Sequence, residues 1–160
     1  PWMASELIPA GIGSRTLGCI RAIPTRHGAG PFVTEDATLA SIFEGEDLSN
    51  LTNPWQGTIR YGWPNLDALG AAVNVAGPRG LLVSHLDQLN RAVKVMATLA
   101  DGKIPVWHEG QLVRMTDDEL SDAIAAISRP LGFADGPTHK HRCMTVEGIE
   151  LLGLKGLQIW

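Results

Sequence analysis

The chain has 160 residues, 44% of them hydrophobic and 19% charged, with a formal net charge of −4. This composition excludes a disordered segment and allows one domain around a single core, and its negative balance gives no electrostatic reason to hold nucleic acid or an anionic membrane. No apolar run approaches the roughly 18–20 residues of a bilayer-spanning helix, and Cys19 and Cys143 are too few for a disulfide scaffold, which suits a reducing cytoplasm.

Residues 1–13 read as an irregular lead-in, broken by Pro9, Gly11 and Gly13, followed by one α/β region over 14–143 and a tail over 144–160. Ser14 is placed to cap a short helix over Arg15–Gly18. Cys19 to Ile23 alternates like a strand that Pro24 ends. Thr34 is placed to cap a helix over Glu35–Phe43, whose Leu39, Ile42 and Phe43 share a face. A polar loop follows over 44–57. Asn65 then caps a helix over Leu66–Ala76, with Leu66, Leu69, Val73 and Ala76 as its stripe and Gly77-Pro78 as its stop. Gly80 to Ser84 is a short apolar run that reads as a buried strand. Val93, Val95, Ala97 and Leu99 alternate with polar or less buried positions. This predicts a half-exposed strand, turned by Asp101-Gly102 into a return strand over Ile104–Trp107. Thr116 and Glu119 form a capping box for a helix carrying Leu120, Ala123, Ile124 and Ile127, which Pro130 closes. Leu131–Asp135 is a further apolar run, and the tail carries a short helix signal over Val146–Leu152. The pattern predicts an α/β domain with a mixed or mainly parallel sheet, flanking helices and one hairpin.

Four stretches carry candidate chemistry. Thr25-Arg26-His27-Gly28-Ala29-Gly30-Pro31-Phe32-Val33-Thr34-Glu35 places two glycines and a proline in a stiff turn. It reads either as a structural turn or as a platform from which Arg26 meets a phosphate or carboxylate with its planar fork. Trp55 to Trp63 contains Gly57, Thr58 and Arg60. Ser84-His85-Leu86-Asp87 follows a strand, where α/β proteins place ligand contacts. There Asp87 is either an acceptor for a ligand or the cap of a turn over Asp87–Asn90. Asp135-Gly136-Pro137-Thr138 closes the set. His139, His141 and Cys143 alternate, but no fourth ligand stands near and Lys140 and Arg142 repel a cation, so no metal site is expected.

The first stretch resembles the TRVGAGPFPTE segment of adenylosuccinate synthetases, departing at His27 and Val33. The others resemble, in the same order, that family's TTGRPRRCGW loop, its Thr-Lys-Leu-Asp sequence and its STGP motif. The resemblance runs over roughly residues 10 to 142 and implies the fold of the C-terminal part of such an enzyme, which joins IMP to aspartate at the expense of GTP. It implies substrate contacts at Gly57, Thr58 and Arg60, and contacts to the guanine nucleotide at His85, Leu86, Asp87, Asp135 and Gly136. Two arginines of the family's loop are replaced here by Gly57 and Ile59, and its lysine by His85.

The family's phosphate loop, catalytic Asp and Gly-His pair belong to its N-terminal part, and no GxxxxGK[ST] occurs in these residues. The resemblance therefore implies GTP and Mg²⁺ for the whole reaction, yet no catalytic residue here and no ligation by this chain alone. The expected partners are a purine nucleotide and either an N-terminal half or a second copy of the chain. The alternative is a non-catalytic structural or regulatory module that self-associates.

Overall fold

A computed structural model describes residues 16–43, 52–96, 101–128, 130–134 and 142–144. Along the chain the elements are β1 (Gly18–Arg21), β2 (Thr25–Arg26), α1 (Ala37–Phe43), β3 (Arg60–Tyr61), α2 (Leu66–Ala76), β4 (Leu81–Ser84), α3 (Leu86–Val95), β5 (Ile104–His108), β6 (Gln111–Met115), α4 (Asp117–Ile127), β7 (Pro130–Ala134) and β8 (Arg142–Met144). The main sheet has the order β1-β4-β7-β8. β1, β4 and β7 run parallel, and β8 returns antiparallel to β7. The expected sheet is thus a mixed one. β2 pairs with β3, and β5 with β6, as two small antiparallel ribbons.

The core draws residues from the main sheet, both ribbons and all four described helices. Ile23, Leu39, Phe43, Leu81, Ile104 and Val106 are fully buried within it. Phe43 of α1 meets Tyr61 of β3 at 5.2 Å between ring centroids, and the Arg91 guanidinium of α3 lies over the Phe43 ring, 4.9 Å from its centre. Among the described residues no helix is long and apolar enough to cross a membrane.

Local signals set several elements as expected. Asn65 caps α2 by accepting from Ala68 N at 2.8 Å, and Gly77 closes it in the left-handed conformation that glycine adopts without strain. Thr116 and Glu119 form both halves of the capping box on α4. Pro130 opens β7, a position that asks nothing of the missing N–H.

Other expectations are overturned. Val93 and Val95 belong to α3, not to a strand. Leu89 and Ala92 are buried at helical spacing, and Leu86 and Val93 pack beside them, so the 3.6-residue period prevails over a short accidental alternation. Among the described residues the hairpin turn is not Asp101-Gly102. β5 pairs instead with β6 through Glu109-Gly110, both at positive φ (51° and 74°), the conformation of the two-residue turn that suits strand twist. Asp87 caps no separate turn, because it lies in the first turn of α3. α1 starts at Ala37, where Asp36 rather than Thr34 accepts from Thr38 N at 2.9 Å. Gly18 belongs to β1 rather than to a helix end, and that strand stops at Arg21. The expectations at 1–15, 44–51, 97–100, 135–141 and 145–160, including Asp135, Gly136 and the Val146–Leu152 helix, fall outside the described residues.

The capping box gives one test. Thr116→Ala removes the acceptor of Glu119 N and should lower unfolding free energy by about 1 kcal/mol, while Thr116→Ser should recover most of it, both read by urea denaturation.

Candidate functional site

Parallel strands deliver their C-terminal ends to one edge, and in this fold two of the candidate stretches leave from that edge. β1 ends at Arg21, and the next residue, Ala22, donates its N–H to Ser84 O at 2.8 Å. From there the chain runs through Ile23 and Pro24 into β2 and the Gly28–Gly30 turn. β4 ends at Ser84, directly before His85, Leu86 and Asp87. β7 lies beside β4 with Phe133 opposite Val83 and runs parallel to it, so its last residue, Ala134, also stands at this edge.

The β2–β3 ribbon is a pair of loops laced together by main-chain bonds. Gly28 N donates to Gln56 O at 2.9 Å, Gly62 N to Pro24 O at 3.0 Å, Asp36 N to Tyr61 O at 3.0 Å and Trp63 N to Thr34 O at 2.9 Å. Gly62 lies so close to its neighbour that a Cβ there would stand 2.6 Å from the Phe32 ring and 2.8 Å from Thr34 O. The Asn53–Gly57 end is an Asx turn. Asn53 Oδ1 accepts from Trp55 N at 3.0 Å and Gln56 N at 2.8 Å, and Gly57 adopts φ 68°. Thr58 is exposed, and its hydroxyl lies 3.2 Å from that of Thr52.

Arg60 faces into this ribbon. Its Nε–H donates to Glu35 Oε1 at 2.8 Å and its Nη2–H to Glu35 Oε2, a bidentate pair. Its Nη1 donates to both Gly28 O and Gly30 O at 3.0 Å, and the guanidinium stands 5.7 Å from the Phe32 ring centre. Four of its five N–H groups are therefore engaged within the chain. Arg26, directly opposite Arg60 in the ribbon, is exposed and donates to Ala29 O at 3.1 Å. Hydrogen bonds from Arg60 hold the Glu35 carboxyl below its ordinary 4.5; partial desolvation opposes this and the Arg60 charge adds to it. Burial alone would raise the Asp36 carboxyl, but bonds from Trp63 Nε1 (3.0 Å) and Thr38 reverse this and leave it below 3.8.

The second place is the β4–α3 junction. His85 precedes the helix in the left-handed region (φ 62°, ψ 36°), a conformation costing a non-glycine residue roughly 1–2 kcal/mol. The Ser84 hydroxyl donates its single proton to Ile20 O at 3.0 Å. The 2.9 Å contact between His85 Nδ1 and Ser84 Oγ then requires His85 Nδ1–H to be the donor. Arg21 reaches across from β1 to Gln88 Oε1 at 3.1 Å. Asp87 is exposed in the first turn of α3, where a negative charge complements the helix dipole. Its carboxylate has no hydrogen-bond partner among the described residues.

The structure thus gathers Gly57, Thr58 and Arg60 in one ribbon and His85, Leu86 and Asp87 at one junction. Sequence reasoning missed Glu35 and Asp36, which were read only as the start of a helix. Their partners Arg60 and Trp63 are 25 and 27 residues away, beyond any local pattern. A cleft of about 220 Å³ lies on the hairpin side of the ribbon, lined in part by Thr34, Asp36, Trp63, Met96, Trp107 and Leu112. It is below the roughly 300–1,000 Å³ of typical small-molecule pockets and includes neither Arg60 nor Asp87. Among the described residues no group of three or more His, Cys, Asp or Glu could hold a metal ion. With Glu35 and Asp36 already bonded inside the ribbon, the described residues do not fit the hard-oxygen cage Mg²⁺ needs.

No family model matches the chain. Curated adenylosuccinate synthetases do. The chain is 32% identical over 111 residues to that of Thermotoga maritima, covering 62% of this chain and 27% of the relative. It is 37% identical over 95 residues to that of Aquifex aeolicus (55% and 21%). With that of Deinococcus radiodurans it shares 30% over 136 residues (77% and 33%). The chain spans a third or less of the length of these relatives. Among solved structures, the fully ligated adenylosuccinate synthetase from Plasmodium falciparum superposes with a TM-score of 0.58 at 16% identity. That match covers 84% of this chain and 42% of the other, and at such identity it speaks to the fold. The chain resembles the adenylosuccinate synthetase family in sequence and in fold.

Two outcomes follow from the ribbon. Gly62→Ala should destabilise by about 1–3 kcal/mol in urea unfolding, because the Phe32 ring and the Thr34 carbonyl must both shift. Glu35 and Asp36 both titrate lower in the folded than in the unfolded chain, so their contribution is fully present above the unfolded values of 4.5 and 3.8 and is lost as pH falls through the lower folded ones. Melting temperature should hold down to about pH 5 and drop below it, and Asp36→Asn should shallow that drop.

Proposed function

We propose that this chain is a purine-nucleotide-binding part of an adenylosuccinate synthetase-like ligase, taking GTP or IMP, and that these 160 residues do not ligate by themselves. The observation that carries the reading is the position of Asp87. An acceptor-only carboxylate stands exposed, without a hydrogen-bond partner among the described residues, at the C-terminal edge of a parallel sheet, where α/β folds receive ligands. Two ring or exocyclic N–H groups of a guanine match such a carboxylate. His85 and Leu86 flank it, and Asp135 and Gly136 follow the neighbouring strand in sequence. The ribbon residues Gly57, Thr58 and Arg60 supply the substrate side. The family resemblance supports the ligand class. Phosphoryl transfer needs a backbone phosphate cradle and Mg²⁺, and no motif for either occurs in these residues, so the ligation is assigned to a larger assembly that includes them.

A second reading has its own observation. Val33 and Leu112 are exposed large apolar residues that line the cleft, and this face suits a contact with another copy of the chain; Trp55, 93% exposed in the Asx turn, is a further exposed aromatic.

Titration with GTP, GDP, IMP and ATP, followed by tryptophan fluorescence and thermal shift, tests the first reading. A guanine nucleotide or IMP should raise the melting temperature, Asp87→Ala should weaken the guanine response by roughly tenfold, and no aspartate- and IMP-dependent GTP hydrolysis should be seen. If no purine nucleotide moves the melting temperature and light scattering gives a concentration-dependent dimer, the second reading takes its place.

A further inference from the structure

We infer that Arg26 and Arg60 form one anion site across the β2–β3 ribbon, in which Glu35 is the resident anion and a ligand phosphate or carboxylate enters by displacing it. The inference rests on the reading that the ribbon belongs to a ligand site, and it adds to that reading a second arginine and a built-in competitor.

The two arginines are register partners, directly opposite in an antiparallel pair, so their side chains share one face. Like charges placed opposite one another destabilise a ribbon unless an anion lies between or beside them. Both guanidinium groups turn onto the same three residues. Arg26 Nη2 donates to Ala29 O, and Arg60 Nη1 to Gly28 O and Gly30 O. A Cβ on Gly30 would stand 2.5 Å from Arg26 Nη2, so the glycine leaves that side chain room to lie over the turn.

Glu35 answers this charge with a bidentate pair on one edge of Arg60, the geometry by which a guanidinium holds a ligand carboxylate or phosphate. The two ties differ in how easily they open. The main-chain carbonyls on Nη1 are fixed by the turn, so they keep the guanidinium in place. The Glu35 side chain is 38% exposed and bonds only to Arg60 among the described residues, so rotation about its own bonds frees the fork. Between residues 52 and 63 Arg60 is the one cation, and Gly57 and Ile59 offer Glu35 no alternative partner. Exchange of one anion for another leaves Arg60 neutralised throughout. A phosphate monoester carries close to two negative charges and balances both arginines, whereas a single carboxylate balances one. The chemistry therefore favours a phosphate monoester over a monocarboxylate.

The test compares wild type with Glu35→Gln by calorimetric titration of inorganic phosphate, IMP, inosine and aspartate. Glu35→Gln should tighten inorganic phosphate and IMP by roughly tenfold, tighten aspartate less, and leave inosine unchanged. Adding Arg26→Ala to Glu35→Gln should remove most of the gain. Glu35→Asp, one methylene shorter and less able to span the fork, should fall between, and it keeps the question answerable if Glu35→Gln does not fold. Phosphate or IMP binding that is unchanged or weaker in both variants overturns the inference, as does a gain that inosine shares. Inorganic phosphate binding to Glu35→Gln with no purine nucleotide binding to any form upholds the anion site and rejects the nucleotide reading alone.

Discussion

A guanidinium presents its donors in one rigid plane, and the position of the Arg60 plane constrains much of what surrounds it. Two of its bonds fix the carbonyls of Gly28 and Gly30, two more fix the carboxylate of Glu35, and its face rests near Phe32. Phe32 in turn bears on Gly62, which must lack a Cβ for the two loops to approach. Past Gly62, Trp63 is buried and returns a hydrogen bond to Asp36 at the head of α1. One side chain thus ties a turn, an aromatic ring, a glycine contact and a helix start into a single unit, and a two-residue strand pair could not hold this arrangement by its ladder bonds alone.

This unit hangs from the sheet edge rather than standing apart. Ala22 bonds to Ser84 as β1 ends, so the path into the ribbon and the turn into α3 are set by the same strand termini. Ser84 also relays between the Ile20 carbonyl and His85, which fixes the imidazole tautomer at Nδ1 beside a strained backbone. Charged and strained features gather at this edge, while the buried apolar residues lie behind it. The parallel sheet leaves its strand ends at one edge to carry loops.

What the sequence discloses follows the range of the forces involved. The caps at Asn65 and Thr116, the glycine stop at Gly77 and the apolar stripes of α2 and α4 act within one helical turn, and all of them were legible. The α3 segment was misread because four alternating residues fit a strand about as well as a helix, and the burial of Leu89 and Ala92 that decides the matter comes from distant elements. The hairpin was displaced because Asp101-Gly102 is the stronger turn signal, whereas β5 and β6 are joined by Glu109-Gly110, held from outside by Asp67, which accepts from both amides at 2.9 Å. In the site, the glycine turn and Arg60 could be named from the sequence, but Arg60's direction could not. Its partner lies 25 residues back, in a position that reads equally well as the first residue of a helix.

The direction of Arg60 also bears on what the family resemblance can mean for chemistry. Where the family's loop carries further arginines, this chain has Gly57 in an exposed turn and Ile59 packed against the core. An isoleucine there gains from burial and offers no donor, so this part of the loop serves the interior instead of the solvent. The remaining arginine turns inward too, toward Glu35 and two carbonyls. A loop that resembles the family's substrate-contacting loop in order of residues is, as described, a loop that satisfies its own cation. On the reading proposed above, an incoming anion competes with Glu35, and the competition turns on charge density: a dianionic phosphate meets two arginines, and a neutral nucleoside offers them no charge.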